Sequence, residues 1–210
     1  MKPDTAKPDT ASRSADLNAR LNLILKKITA ADFLQARGLS KEIPFHIFDY
    51  PAEDELRVRE HVDFVLQQIP KRRPEIKFKH VDLFDFVLEY LQARKLLDKA
   101  LDMQRKKGNA ALLKALRGPL HEEKIAQRFN EAVQPGDLDI VLVSRVGSAY
   151  PLLRAHTLLS NLQQYMGNTA LVMFYPGRYD GTTLRLFNKT GLAGDEDRVP
   201  PYYRAFRLVD

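Results

Sequence analysis

Apolar residues recur at helical spacing from about Asp16, where Leu17, Leu21, Ile24, Leu25 and Ile28 fall on one face. A second short helix is expected from Ala31 to Ala36, with Gly38 placed to cap it in the left-handed conformation. The period then changes. Phe45 to Phe48 suits a short buried strand, and Pro51 blocks its continuation. Glu53 to Ile69 returns to helical spacing, acidic in its first turn, with Leu56, Val62, Val65, Leu66 and Ile69 as its apolar stripe. Ile76, Phe78 and His80 alternate with Lys77, Lys79 and Val81, which predicts a second strand. A long helical stretch follows from Asp82 to about Lys107, and another from His121 to Val133. Asp139 to Val143 is a continuous apolar run of the kind that parallel strands show when both faces are covered. Gly147 and Pro151 frame the start of a helix carrying Leu152, Leu153, Leu158, Leu159, Leu162 and Met166; Gly167 ends it, and Thr169 to Phe174 is the next strand.

Strands alternating with helices predict a three-layer α/β sandwich with a mainly parallel central sheet. The layout is nucleotide-binding-like but without a phosphate loop. Two short stretches near the end, "TLRLF" and "YYRAFRLV", have no helix between them, so an antiparallel C-terminal pair extending one edge is expected. The first residues are a tandem repeat, Lys2 to Ala6 then Lys7 to Ala11, polar and Pro-bearing. The organisation expected is a disordered N-terminal tail over 1–15 and a single α/β domain over 16–210.

Composition narrows the chemistry. The 210 residues contain no cysteine, which excludes disulfides, thiolate metal sites and cysteine nucleophiles. No apolar run reaches the roughly 20 residues of a membrane helix and the N-terminus has no signal-like apolar stretch, so a cytoplasmic location is expected. The net charge is +6, with cations at Lys71, Arg72, Arg73, Lys77 and Lys79, then at Arg105, Lys106 and Lys107. Lys71, Arg72 and Arg73 are candidates for nucleic-acid contact. The plainer reading is solvated helix ends, where cations are favoured, and apart from Phe78 no aromatic lies among these cations to stack on a base.

In an open parallel sheet, ligands sit at the carboxyl ends of the strands. After the first strand the chain reads "DYPAEDEL", with four carboxylates and no glycine, where a phosphate loop would need turned amides and a lysine. No G-x-x-x-x-G-K, G-x-G-x-x-G, G-x-S-x-G or H-E-x-x-H occurs. His156 lies at the margin of an apolar stripe and reads as a packed histidine; "HEEK" at His121 reads as a helix start. Asp49, Asp54, Asp82 and Asp180 would have to converge to hold magnesium, and scattered acids at strand ends are common. The expectation is no catalytic residue, no metal and no cofactor.

"FYPGRYDG", Phe174 to Gly181, looks like a corner. Pro176 would end ladder pairing, Gly177 would supply a positive φ, and Asp180-Gly181 is a turn signal. Such a corner would display Arg178 and Tyr179. Together with Asp180 and Arg145 they form the candidate partner-binding set.

The stretches "GLSKEIPFHIFDYPAEDELRVRE", "VDLFDFVLEYL", "SRVGSAYPLLRAHTLLSNLQ", "FYPGRYDGTTLRLFNK" and "YYRAFRLV" resemble the BrxB family of BREX proteins. The resemblance spans nearly everything after the tail, departing in the Lys-Pro-Asp-Thr-Ala repeat and in the loop around Gly191 and Gly194. It implies a component of an operon-encoded bacterial defence against phage that also includes a DNA adenine methyltransferase, a large ATPase and an alkaline-phosphatase-like protein, PglZ. It further implies an accessory, non-enzymatic role with PglZ as chief partner, and supplies no catalytic residues. A DNA-binding subunit of the same system using basic patches is the alternative, and a metal-dependent hydrolase using Asp180, His156 and Arg145 the third reading.

Overall fold

The computed structural model describes residues 10–35, 45–188 and 205–210. Its centre is a sheet in the order β2-β3-β4-β1-β6, built from β1 (Phe45–Tyr50), β2 (Phe78–Asp82), β3 (Ile140–Ser144), β4 (Ala170–Tyr179) and β6 (Ala205–Arg207), all paired in parallel. β5 (Leu184–Leu186) folds back on the far end of β4 in antiparallel register, Arg178 opposite Arg185. Helices cover both faces, so the α/β class and mainly parallel sheet are as the alternation predicts.

Side chains alternate along each strand, so each strand supplies two cores. On one face Phe48, Tyr50, Leu142, Val172 and Phe174 share a core with α1 (Thr10–Ile28), with Phe33 of the short α2 (Ala31–Gln35) and with α3 (Glu55–Arg72). On the other, Ile47, Val81, Val143 and Met173 pack under α4 (Leu83–Ala93), α6 (Glu122–Val133) and α8 (Ala155–Met166). Between β1 and α3, residues Ala52–Asp54 form a short 3-10 turn. Leu56 departs from the expected α3 stripe: it is 70% exposed, because the face that meets the sheet is Val58, Val62, Val65 and Ile69.

Several boundaries differ from the sequence reading. α1 starts at Thr10 rather than about Asp16, and Ser14 ties this early part to α3: Arg57 donates to the Ser14 hydroxyl and carbonyl, each at 3.0 Å. The single helix expected from Asp82 to Lys107 is two, α4 and α5 (Leu97–Leu116). Lys95 takes the left-handed conformation at φ 55°, and the Leu96 and Lys95 amides donate back to Leu91 and Gln92 at 2.9 Å. That is a Schellman cap with lysine in the place glycine usually holds. The expected helix from Gly147 is likewise split, into α7 (Val146–Ala149) and α8, with Leu152 and Leu153 in the turn between them. At the C-terminal edge, β5 and β6 do not pair with each other; β5 joins β4 and β6 extends the β1 edge in parallel. The expected Gly38 cap, the repeat through Asp9, the 189–204 loop, Tyr202 and Tyr203 lie outside the described residues.

Candidate functional site

The carboxyl ends of β1, β2, β3 and β4 bring together most of the polar residues that the sequence singles out, and hydrogen bonds tie them to one another. Asp49, at the end of β1, is 7% exposed. Its Oδ1 accepts from Arg20 on α1 at 2.9 Å, and its Oδ2 accepts from the backbone amide of Tyr179 at 2.9 Å. Arg207 of β6 lies 3.6 Å from the same Oδ2 and donates to the Tyr179 carbonyl. Arg20 also donates to the carbonyls of Asp49 and Val209. One carboxylate therefore joins α1, β1, β4 and the C-terminal strand, a structural charge with two cationic partners.

The next residue, Tyr50, donates to Glu55 at 2.7 Å; Arg59 donates to the other Glu55 oxygen at 2.8 Å and to Ser148 Oγ at 3.1 Å. Burial, reinforced by the Glu55 charge and hydrogen bond, drives the Tyr50 phenol well above its ordinary range. Glu55, one of the four acids after the first strand, thus links α3 to α7 through Arg59.

Asp82 caps α4, accepting from the Asp85 amide at 3.0 Å. Arg145 sits beside it in the left-handed conformation, φ 54°, donating to Asp82 at 3.0 Å and to Asp85 at 3.2 Å. Its guanidinium also stands 5.3 Å from the centre of the Phe84 ring. Burial works against the Arg145 charge, but the hydrogen bonds and charges of Asp82 and Asp85 outweigh it and raise the pKa. His80 Nε2 lies 2.8 Å from Ser144 Oγ. Burial lowers the pKa of this imidazole despite the nearby charges of Asp82 and Asp63, which favours the neutral ring.

The Phe174–Gly181 segment is built differently from its sequence reading. β4 runs through Pro176 to Tyr179, with Pro176 in register with Tyr50, the last residue of β1. Gly177 does not have a positive φ; a Cβ there would lie 2.1 Å from the Arg185 carbonyl oxygen, so glycine is required by the close approach of β5. Gly181 does take φ 97°, and Asp180 accepts from the amides of Thr182 at 3.1 Å and Thr183 at 2.8 Å, as the Asp-Gly turn predicts. Those amides, Thr183 first, hold the Asp180 carboxyl below its ordinary range.

Tyr179 is 2% exposed, so it is not displayed. Its hydroxyl lies 2.7 Å from the Ala205 carbonyl and 2.8 Å from the Gly181 carbonyl, the two acceptors sharing its one proton. Burial, with the Asp180 charge adding, raises its pKa. Arg178 points the opposite way along the strand: it is exposed and has no ion pair or hydrogen bond among the described residues. Asp180 is exposed and engaged in its own turn and with Arg185 at 3.5 Å. Under the hairpin, Pro176 and Phe187 fit against Gly147, where a Cβ would meet them at 2.7 and 3.0 Å. Of the expected partner set, Arg178 presents a free cation, Asp180 an exposed turn, Arg145 a paired charge and Tyr179 interior packing.

The basic candidates also separate. Lys71 and Arg72 are exposed at the end of α3, whereas Arg73 donates to Glu75 and to the Thr29 carbonyl at 2.6 Å, fastening α3 to α1. His156 is half-buried on α8. Asp49, Asp82 and Asp180 have separate partners, and no group of three His, Asp or Glu suited to a metal ion occurs among the described residues. No helix among them is long and apolar enough to cross a membrane.

Against known proteins, the family model described as BREX protein BrxB matches residues 79–208. A protein named BREX protein BrxB from Bacillus cereus (strain H3081.97) is 40% identical over 198 residues, covering 92% of this chain and 98% of the relative. Another of that name from Escherichia coli O9:H4 (strain HS) is 40% identical over 193 residues, covering 92% of each chain. No solved structure gives a significant match.

Proposed function

The chain belongs to the BrxB family of BREX proteins, a component of a phage-defence system, and from that premise we propose that it acts there as a non-enzymatic adaptor whose chief partner is the alkaline-phosphatase-like protein PglZ. The observation that carries the adaptor reading is the internal pairing at the carboxyl end of the sheet. Where a doubly wound enzyme keeps open groups for a ligand, Asp49, Glu55 and Asp82 are each bound by arginines or amides of this same chain. Those contacts brace the β4–β5 hairpin and leave Arg178 facing outward, a residue type enriched in interface hot spots. Arg178 and Asp180 on the hairpin, with Arg145 beside α4, form the proposed contact surface. Tyr179 supports it from inside.

Co-expression with each other BREX product, followed by affinity capture of this chain at low and high salt, tests the reading. The expected result is a stable complex with PglZ, weakened about tenfold or more by Arg178→Glu while the melting temperature stays within about a degree or two. Failure to capture PglZ at any salt concentration overturns the adaptor reading. Retention of full affinity by Arg178→Glu overturns the hairpin surface alone.

A further inference from the structure

The surplus charge of the chain is concentrated in one excursion from the body. Between Arg94 and Arg117 the sequence has eight lysines and arginines against two acids, Asp98 and Asp102. That surplus of six equals the net charge of the whole 210-residue chain, +6. The rest of the molecule is balanced.

The fold holds these charges away from the core. α5 leaves the body after Ala100, which is buried, and returns where Leu112 packs on the core and Leu116 is buried. Residues 101–110 in between are exposed, apart from the half-buried Met103. Midway, Gly108 breaks the helix at φ 78°, ψ 177°, a conformation open essentially to glycine alone. A Cβ there would meet nothing within 4 Å, so the backbone bend, and not crowding, demands the glycine. Gln104 bridges the bend by donating to Asn109 at 2.9 Å. The result is an elbow with Arg105, Lys106 and Lys107 just before the bend.

Cations near a helix C-terminus are favoured by the peptide dipoles, which accounts for some of them. It does not account for so many left unneutralised. Asp102 to Arg105, at 3.8 Å, is the single ion pair on the elbow among the described residues. Lys99, Lys106, Lys107 and Lys114 have no ion pair or hydrogen bond among them. Like charges crowded on a short helix repel and destabilise it, so their concentration calls for a polyanion.

We propose that the α5 elbow docks on the phosphate backbone of double-stranded DNA. The side chains favour a duplex over an acidic protein surface, because lysine is depleted where protein interfaces are buried while phosphate neutralisation uses lysine and arginine freely. They also favour a duplex over a single strand. No aromatic residue occurs between Arg94 and Arg117 on which a base could stack. The contact is therefore to the backbone and independent of base sequence. This role does not rest on the adaptor reading, since elbow and β4–β5 hairpin are separate elements.

The test is fluorescence anisotropy of a labelled random-sequence duplex of about 30 base pairs, titrated with the full chain between about 50 and 200 mM salt. The wild-type chain should bind with an affinity that falls steeply as salt rises. The triple variant Arg105→Gln, Lys106→Gln, Lys107→Gln should bind at least tenfold more weakly at the lowest salt. Its slope of log affinity against log salt should be shallower by about 2 to 3, roughly 0.9 for each lost phosphate contact. Lys71→Gln with Arg72→Gln, the cationic pair at the end of α3, should stay within about twofold of wild type. Circular dichroism melts of all three should coincide. Equal loss from the two variants, or no loss from the triple variant, would overturn the proposal. So would a wild-type chain that binds no duplex, and in that case loss of a protein partner by the triple variant would reassign the elbow to protein docking.

Discussion

The side chain of Asp49 accepts a hydrogen bond from the backbone amide of Tyr179 at 2.9 Å, closing a gap of 130 residues in the sequence. With Arg20 and Arg207 on the same carboxylate, this bond fixes the start of the β4–β5 hairpin against β1. Replacing Asp49 by alanine leaves two arginines and an amide facing a site that has lost its acceptor. Breaking a buried pair in this way costs roughly 3–5 kcal/mol. Urea unfolding of Asp49→Ala should show a loss of about that size, with Asp49→Asn falling between it and wild type because an amide oxygen still serves Tyr179. A loss below about 1 kcal/mol would show that the cluster is not what holds the hairpin.

Gly177 and Gly136 make a matched pair for the close approach of β5. An alanine Cβ at Gly177 would stand 2.1 Å from a backbone oxygen, while one at Gly136 would meet nothing within 4 Å, and neither glycine has a positive φ. Overpacking of this kind costs about 1–3 kcal/mol and more where backbone must move. Gly177→Ala should lower stability at or above the upper end of that range, and Gly136→Ala should change it by less than about 1 kcal/mol. Equal melting temperatures for the two would refute the account of the hairpin.

What the sequence made legible follows from the range of the forces involved. The apolar run at Asp139 to Val143 and the helical spacing of Leu17 to Ile28 are local signals; β3 lies within one residue of the run, and α1 contains the stretch and ends with it at Ile28, although it starts earlier, at Thr10. The break after α4 was hidden because Lys95 occupies a position where glycine is the usual signal. Pro176-Gly177 imitates the end of a strand, so the sequence alone reads Tyr179 as a displayed loop residue. The alternation nonetheless continues, Tyr175 and Tyr179 facing the core and Arg178 facing out. Asp49 was the least legible. An acid at a strand end reads the same whether it meets a metal or two arginines, and its arginine partners lie 29 and 158 residues away.

Acid should weaken the fold in a defined window. Burial, with repulsion from Lys27, lowers the His46 pKa from 6.5 to about 4, and burial also lowers those of His61 and His80. Between pH 6.5 and 4 the unfolded chain binds a proton at His46 that the folded chain refuses. Stability is therefore full above about pH 6.5 and falls as pH drops toward 4, by up to about 3 kcal/mol from His46. Asp180, whose pKa is lowered from 3.8, acts below that window. His46 packs 4.6 Å from Phe33 and 6.0 Å from Phe206, centre to centre, so phenylalanine suits the site. Stability of His46→Phe measured from pH 7 to 4.5 should fall markedly less than that of wild type. Parallel curves would reject His46 as the main source.

Removal of the last six residues should be severe, and through β1 instead of the neighbouring "TLRLF" strand that the sequence suggested. β6 pairs with β1 over Phe45 to Ile47, and the Leu208 amide donates to the Ile47 carbonyl at 2.9 Å. The segment also supplies the Ala205 carbonyl for the Tyr179 hydroxyl, the Val209 carbonyl for Arg20, and Arg207 for Asp49. Leu208 and Val209 are buried under α1, so truncation exposes apolar surface and strips buried donors in the same step. It also leaves β1 as a bare parallel edge, which invites association between chains. A chain ending at Arg204 should lose cooperative thermal unfolding and appear chiefly in aggregates, whereas removal of Asp210 alone should have little effect. A soluble protein ending at Arg204 that still melted in one sharp transition would mean that α1 and β1 hold the hairpin without β6.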